Sequence, residues 1–109
     1  MITNKEIKLL KSLSKKKYRH QYGQFLIEGL RIIEELIRSN HKPLKIWTTE
    51  ETLDKNAGFK KSIIKLNYDI ISQEYFSQIL DTKTPQHVMA LLPIDSQDVL
   101  TLSGQNMLV

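Results

Sequence analysis

Phe25-Leu-Ile-Glu-Gly-Leu-Arg-Ile-Ile-Glu-Glu-Leu-Ile-Arg38 is the stretch from which the rest of the chain can be read. Phe25-Leu26-Ile27 is a short apolar run of the kind that fills a buried strand. Glu28-Gly29 interrupts it, and the period then changes. Leu30, Ile33, Leu36 and Ile37 recur at three- and four-residue spacing, with Arg31, Glu34, Glu35 and Arg38 on the other side. This is a strand entering an amphipathic helix through a tight turn. Gly29 suits the turn because glycine takes backbone angles closed to other residues. Glu34 precedes Arg38 by four residues, the favourable order for a helix ion pair worth a few tenths of a kcal/mol. The segment reads as the first βα step of an open α/β sheet.

Working outward, Thr3-Asn4-Lys5-Glu6 matches a capping box, and Ile7, Leu10 and Leu13 supply one apolar face. A helix is expected from Asn4 to about Ser14. Lys15 to Gly23 has no apolar period and reads as a polar connection. After the central helix, Ser39-Asn40-His41-Lys42-Pro43 is a stop signal. Leu44 to Thr49 alternates and is expected to be the second strand, followed by a loop from Glu50 to Gly58. Phe59, Ile63 and Leu66 mark a short helix, and Asp69-Ile70-Ile71 a brief third strand. Ser72 is placed to cap a helix carrying Tyr75, Phe76, Ile79 and Leu80. Asp81 to Gln86 is a loop, and Val88 to Leu92 a continuous apolar run suited to a central strand buried on both faces. Alternating strands and helices predict an α/β fold with a mostly parallel sheet and helices on both sides. Trp47, Phe59, Tyr75 and Phe76 follow the strand or helix period and are expected in the core.

The 109 residues suffice for one small domain, and 40% hydrophobic with 26% charged residues is an ordinary globular balance. No run of about 18 apolar residues offers a membrane span, and Met1 leads into a lysine-rich helix rather than a signal peptide. The chain has no cysteine, which excludes disulfides and thiolate metal sites and suits a reducing cytoplasm. His20, His41 and His87 share no metal-ligand spacing, and no nucleophile elbow, Walker loop or dinucleotide fingerprint occurs.

The net charge of +4 is uneven. Residues 1–20 carry seven lysines and arginines against Glu6 alone, while the remainder carries nine against eleven acids. A polyanion would meet the N-terminal fifth first. Within it, Lys15, Lys16, Lys17 and Arg19 alternate with Tyr18, His20 and Tyr22. Cations of this kind neutralise phosphates, and the rings offer faces to unstacked bases. A plain solvated helix end has the same composition. Glu28 also has two readings: an acid that contacts a nucleic acid or orients Arg19, or an acceptor for N–H groups at a helix N-terminus. Thr82, Thr84, Pro85 and Gln86 form either a binding loop or a simple turn before a buried strand.

With its elements placed, the sequence resembles the N-terminal substrate-binding domain of the SpoU/TrmH family of RNA ribose 2′-O-methyltransferases. The resemblance spans roughly residues 4 to 94. It rests on Ile7-Lys8 with Leu10 and Leu13, on Lys17-Tyr18-Arg19, on Gly23 through Gly29, on Asp81 through Gln86, and on Val88-Met89-Ala90. It implies a three-layer α/β/α sandwich like the kink-turn-binding ribosomal proteins. It also implies that residues 1–94 bind rRNA or tRNA for a following knotted domain that holds S-adenosylmethionine and dimerises. Contacts to RNA are then expected from Lys15, Lys16, Lys17, Tyr18, Arg19, His20, Tyr22, Glu28, Thr84 and Gln86, with no catalytic, cofactor or metal residue in this part. His87 departs from the glycine usual after Pro-Gln, which bears on the shape of that loop. Residues 95–105 read as a linker and Asn106-Met107-Leu108-Val109 as the opening strand of a domain cut short. A free-standing ribosomal kink-turn binder is one alternative, although Glu28-Gly29-Leu30-Arg31 lacks that group's Asn-Glu and Lys set. A protein-interaction domain is another.

Overall fold

A computed structural model describes residues 2–94. The expected linker at 95–105 and strand at 106–109 lie outside the described residues. Helix α1 (Asn4–Ser12) begins with the capping box: Thr3 Oγ1 accepts the Glu6 N–H at 3.1 Å, and Glu6 Oε1 accepts the Thr3 N–H at 3.0 Å. Residues 15–23 are not the expected polar connection. They form a second helix, α2 (Lys16–Tyr22), which ends where Gly23 adopts the left-handed conformation at φ +66°. No residue of α2 is fully buried, so the apolar stripe that reveals a helix in sequence is missing. The Arg19 Nη1 group donates to the Leu13 carbonyl at 3.0 Å and ties α2 back to the end of α1.

Strand β1 (Gln24–Glu28) passes through Gly29, at φ +122°, into α3 (Leu30–Arg38). That φ lies where side-chain-bearing residues are strained, which accounts for glycine at the junction. The ion pair on α3 differs from expectation. Arg38 reaches Glu35 at 2.9 Å, one residue nearer than Glu34. Strand β2 (Lys45–Thr48) leads into a helix where a loop was expected, α4 (Glu50–Lys55). Thr49 Oγ1 caps it at the Thr52 N–H, and Glu51 pairs with Lys55 at 2.8 Å. Only Leu53 of α4 is buried, too few apolar positions to set a period. Helix α5 (Ala57–Ile63) and strand β3 (Tyr68–Ile70) follow. Helix α6 (Glu74–Ile79) is preceded by Gln73 at the cap position, and Ser72 contributes its carbonyl to the Tyr75 N–H rather than a side-chain cap. Strand β4 (Val88–Pro93) closes the fold.

The strand order is β1-β4-β2-β3. Strand β4 occupies the centre and runs antiparallel to both β1 and β2, and only β2 and β3 pair in parallel. The sheet is therefore mixed, not mostly parallel. The reason lies in the last connection. Helix α6 has six residues and advances only about 9 Å. The extended chain after it returns to the edge where β1 and β2 finish, so that β4 starts there: Val88 opposes Thr48, and its carbonyl accepts the Gly29 N–H. This return also sets the 81–87 loop beside the β1–α3 junction.

Two apolar layers sandwich the sheet. On one face Ile33 and Leu36 of α3, Leu53 of α4, and Phe59 and Ile63 of α5 pack on Phe25, Ile27, Ile46, Val88, Ala90 and Leu92. On the other, Leu10 and Leu13 with Phe76 and Ile79 of α6 pack on Trp47, Met89 and Leu91. Strand β4 alternates between the two and is buried on both faces, as its unbroken apolar run predicts. The architecture is a three-layer α/β/α sandwich. Each fully buried Leu, Ile or Phe contributes roughly 1.5–3 kcal/mol.

A polar clamp fastens α1 to the sheet. Lys45 Nζ lies 2.9 Å from Glu6 and 3.1 Å from Asp69, and 5.4 Å from the Trp47 ring centre. Partial burial pushes the Glu6 and Asp69 carboxyls up, but the Lys45 bonds and charge, joined at Glu6 by the Thr3 N–H, together hold both below the usual carboxylate range. Burial likewise disfavours the Lys45 charge, and the two acids more than restore it.

Candidate nucleic-acid interface

Helix α1 divides the N-terminal surface into two sides. On one, Lys5, Lys8, Leu9 and Ser12 recur at helical spacing and, with Glu6, Tyr22 and Gln24, line a groove of about 570 Å³. Lys8, Lys11, Ser12, Lys15 and Tyr18 line an adjoining groove of about 400 Å³. Lys8 and Ser12 belong to both walls. The Tyr18 and Tyr22 rings stack with centres 6.3 Å apart and planes 18° from parallel, and Lys17 Nζ sits 5.5 Å from the Tyr18 ring centre. Tyr22 remains 46% exposed, enough to offer a ring to a ligand. Of the expected RNA contacts, Lys15, Tyr18 and Tyr22 thus line these grooves and Lys17 adjoins them. Lys16 and His20 are exposed on the same helix.

The other side of α1 holds a cleft of about 440 Å³, in which Arg19, Glu28 and Thr82 stand above Leu10, Leu13 and Ile79. Arg19 and Glu28 share this cleft, but each is bonded elsewhere. Arg19 donates to the Leu13 carbonyl, and Glu28 Oε2 accepts the Gln86 backbone N–H at 2.7 Å and the Thr82 hydroxyl at 3.5 Å. Glu28 does accept a backbone N–H, yet from the 81–87 loop and not from the helix that follows it. The α3 terminus is served by Gln86, whose Oε1 accepts the Leu30 N–H at 3.1 Å. Together these bonds clasp the 81–87 loop to the β1–α3 junction: Glu28 holds the Gln86 N–H and Gln86 holds the Leu30 N–H, across 58 and 56 positions of sequence. Thr84 is exposed at the loop between them. The His87 carbonyl accepts from Thr48 at 2.9 Å and Thr52 at 3.4 Å, and its ring lies 5.6 Å from that of Phe76. This half-buried ring packing occupies the place where a glycine would leave space.

Sequence reasoning missed Lys5, Lys8 and Lys11 as members of the site. Their spacing is the signal: the period that puts Ile7, Leu10 and Leu13 inward puts lysines on another side of the same helix. It also missed Thr82 as a ligand of Glu28. Among the described residues no group of three or more His, Cys, Asp or Glu can hold a metal ion, and no helix is long and apolar enough to cross a membrane.

A family model, the MRM3-like substrate binding domain, matches residues 4–90, from the start of α1 into β4. The chain belongs to this family. The match takes in both the α1–α2 surface and the clasped loop of the substrate binding domain. Over 101 residues the chain is 29% identical to the 23S rRNA (guanosine(2553)-2′-O)-methyltransferase RlmP of Bacillus subtilis (strain 168), covering 90% of this chain and 38% of that protein. The fold is similar to that of an RNA 2′-O ribose methyltransferase crystal structure, with a TM-score of 0.70 at 24% identity over 87% of this chain and 36% of that one. It is similar, too, to the SpoU methyltransferase AviRb of Streptomyces viridochromogenes in complex with AdoMet, with a TM-score of 0.64 at 16% identity over 88% of this chain and 38% of that one. The chain spans well under half the length of each of these relatives.

Proposed function

We propose that this substrate binding domain grips a structured RNA through the α1–α2 surface and presents it to a methyltransferase domain of the same protein, for transfer to a ribose 2′-oxygen. The observation that carries the reading is the gathering of Lys5, Lys8, Lys11 and Lys15 around the stacked Tyr18 and Tyr22 on one side of a domain whose remaining residues are close to neutral. Lysines supply phosphate neutralisation and steer encounter, and tyrosines supply stacking that does not depend on base identity. In the whole protein S-adenosylmethionine would supply the methyl group, and the motifs that hold it are expected beyond residue 94. Residues 2–94 carry no step of that chemistry and act by binding and orienting. Dimerisation through the further domain, an rRNA or tRNA substrate and a cytoplasmic setting belong to the same proposal.

A mobility-shift titration with structured rRNA fragments at several salt concentrations tests it. About 3–5 phosphate contacts give a log–log slope of roughly −2 to −4. Absence of binding even in dilute buffer would defeat the proposal and favour a protein-interaction domain.

A further inference from the structure

The two grooves along α1 share a wall, and that sharing suggests what kind of RNA fits. We infer that they hold two consecutive unpaired nucleotides, one base against Tyr22 and the next against Tyr18, with the phosphate between them at Lys8. The inference rests on the RNA-binding reading and narrows it to a single-stranded segment.

Three observations converge. The two grooves are open depressions of about 570 and 400 Å³, with room for a base laid against a ring rather than for a fully enclosed ligand. The common wall of Lys8 and Ser12 puts one cation where the two pockets meet, the place of the phosphate that joins adjacent nucleotides. The tyrosines are four residues apart on α2, a rise of about 6 Å, and their centres are separated by 6.3 Å. Bases stacked in a B-form strand advance by only about 3.4 Å, and those in A-form RNA by less. Because the two rings stack on each other, each offers a base only its outer face, and bases so placed stand farther apart than 6.3 Å, as in a strand pulled out of its stack and not in a paired helix. Paired RNA presents a shallow groove and phosphates, and its bases cannot enter pockets.

The surrounding groups agree. Lys5, Lys11 and Lys15 flank the two grooves. The one carboxylate in these walls, Glu6, is held by Lys45 and the Thr3 N–H and so is already partnered. Gln24 brings an amide able to donate and accept toward a base edge. Ser12 donates to the Leu9 carbonyl at 2.6 Å and keeps its oxygen as an acceptor.

The test uses the 109-residue chain and fluorescence anisotropy with a labelled, unstructured ten-nucleotide RNA, alone and annealed to its complement. The single strand is expected to bind at least about tenfold more tightly than the duplex. Tyr22→Ala should weaken single-strand binding by about 5- to 150-fold without changing the salt slope, and Tyr22→Phe should retain it within about twofold. Lys8→Ala should reduce the slope by about 0.7. Tyr22 is not a core residue, so its variants keep the fold, which circular dichroism verifies. Equal affinity for single strand and duplex, or a Tyr22→Ala variant that binds like the parent, would overturn the two-nucleotide assignment and leave the broader RNA-binding proposal standing. Failure of both RNAs to bind at low salt would remove both.

Discussion

Glu28→Ala offers the sharpest test of how the site is held together. The substitution removes the acceptor of the 2.7 Å bond from the Gln86 N–H and of the longer bond from Thr82. A hydrogen bond to a charged group contributes about 1.5–3 kcal/mol, and because solvent reaches this one the lower end applies, about 1.5 kcal/mol. Gln86→Ala removes a different bond, the one that satisfies the Leu30 N–H at a helix start where Gly29 has no side chain to do so. Loss of such a cap costs about 1 kcal/mol. If the two bonds were independent, the double variant would lose about 2.5 kcal/mol. They are not independent on this structure, because Glu28 fixes the loop from which Gln86 reaches back. The double variant should lose only about 1.5–2 kcal/mol, a coupling of about 0.5–1 kcal/mol. Urea unfolding followed by the fluorescence of buried Trp47 measures all four corners of the cycle. With a slope of about 1–3 kcal/mol/M, Glu28→Ala should lower the midpoint by about 0.5–1.5 M. Its melting temperature should fall by about 6–12 °C. Strict additivity, or a Glu28→Ala variant as stable as the parent that no longer binds RNA, would refute the clasp and return Glu28 to the role of a direct RNA contact.

Gly29→Ala should cost about 1–3 kcal/mol in the same assay, because φ +122° is closed to side-chain-bearing residues, and Gly23→Ala, at φ +66° with no atom within 4 Å of the added carbon, about 1–2 kcal/mol. The Lys45 clamp predicts a pH profile. Folded Glu6 and Asp69 hold protons less tightly than their ordinary values of 4.5 and 3.8, so their contribution is full above about pH 5 and is lost as pH falls through the depressed folded values. Lys45 is raised, so its own share persists to the ordinary 10.5 and is lost as pH rises past the folded value. Melting temperature against pH should show this plateau, and Lys45→Met should flatten the acid limb; an unchanged limb would count against the clamp. Arg19→Ala should lower stability by about 1 kcal/mol through loss of the bond to the Leu13 carbonyl, whereas Lys16→Ala should leave urea unfolding unchanged and weaken only the salt dependence of RNA binding.

The features readable from sequence were those written in local period and local chemistry. The change from an apolar run to helical spacing at Glu28-Gly29, the capping box at Thr3 and the two-faced burial of β4 all depend on neighbours within a few residues. The excess of positive charge at the N-terminus was equally plain, since it needs no fold to count. Elements with little buried surface escaped: α2 has no fully buried residue and α4 only Leu53, and a period cannot appear where nothing repeats inward.

Tertiary structure alone decided the direction of β4, because helix–strand alternation does not record whether a short helix and an extended loop carry the chain across the sheet or back to the same edge. It also decided the partners of Glu28 and Lys45: Gln86 lies 58 residues from Glu28, and Glu6 lies 39 residues from Lys45 on the far side of it in sequence from Asp69, so none leaves a mark on local sequence. The lysines of α1 were visible as charges but not as the walls of grooves. A residue's type limits the bonds it can make, and only the path of the chain determines which groups come within reach.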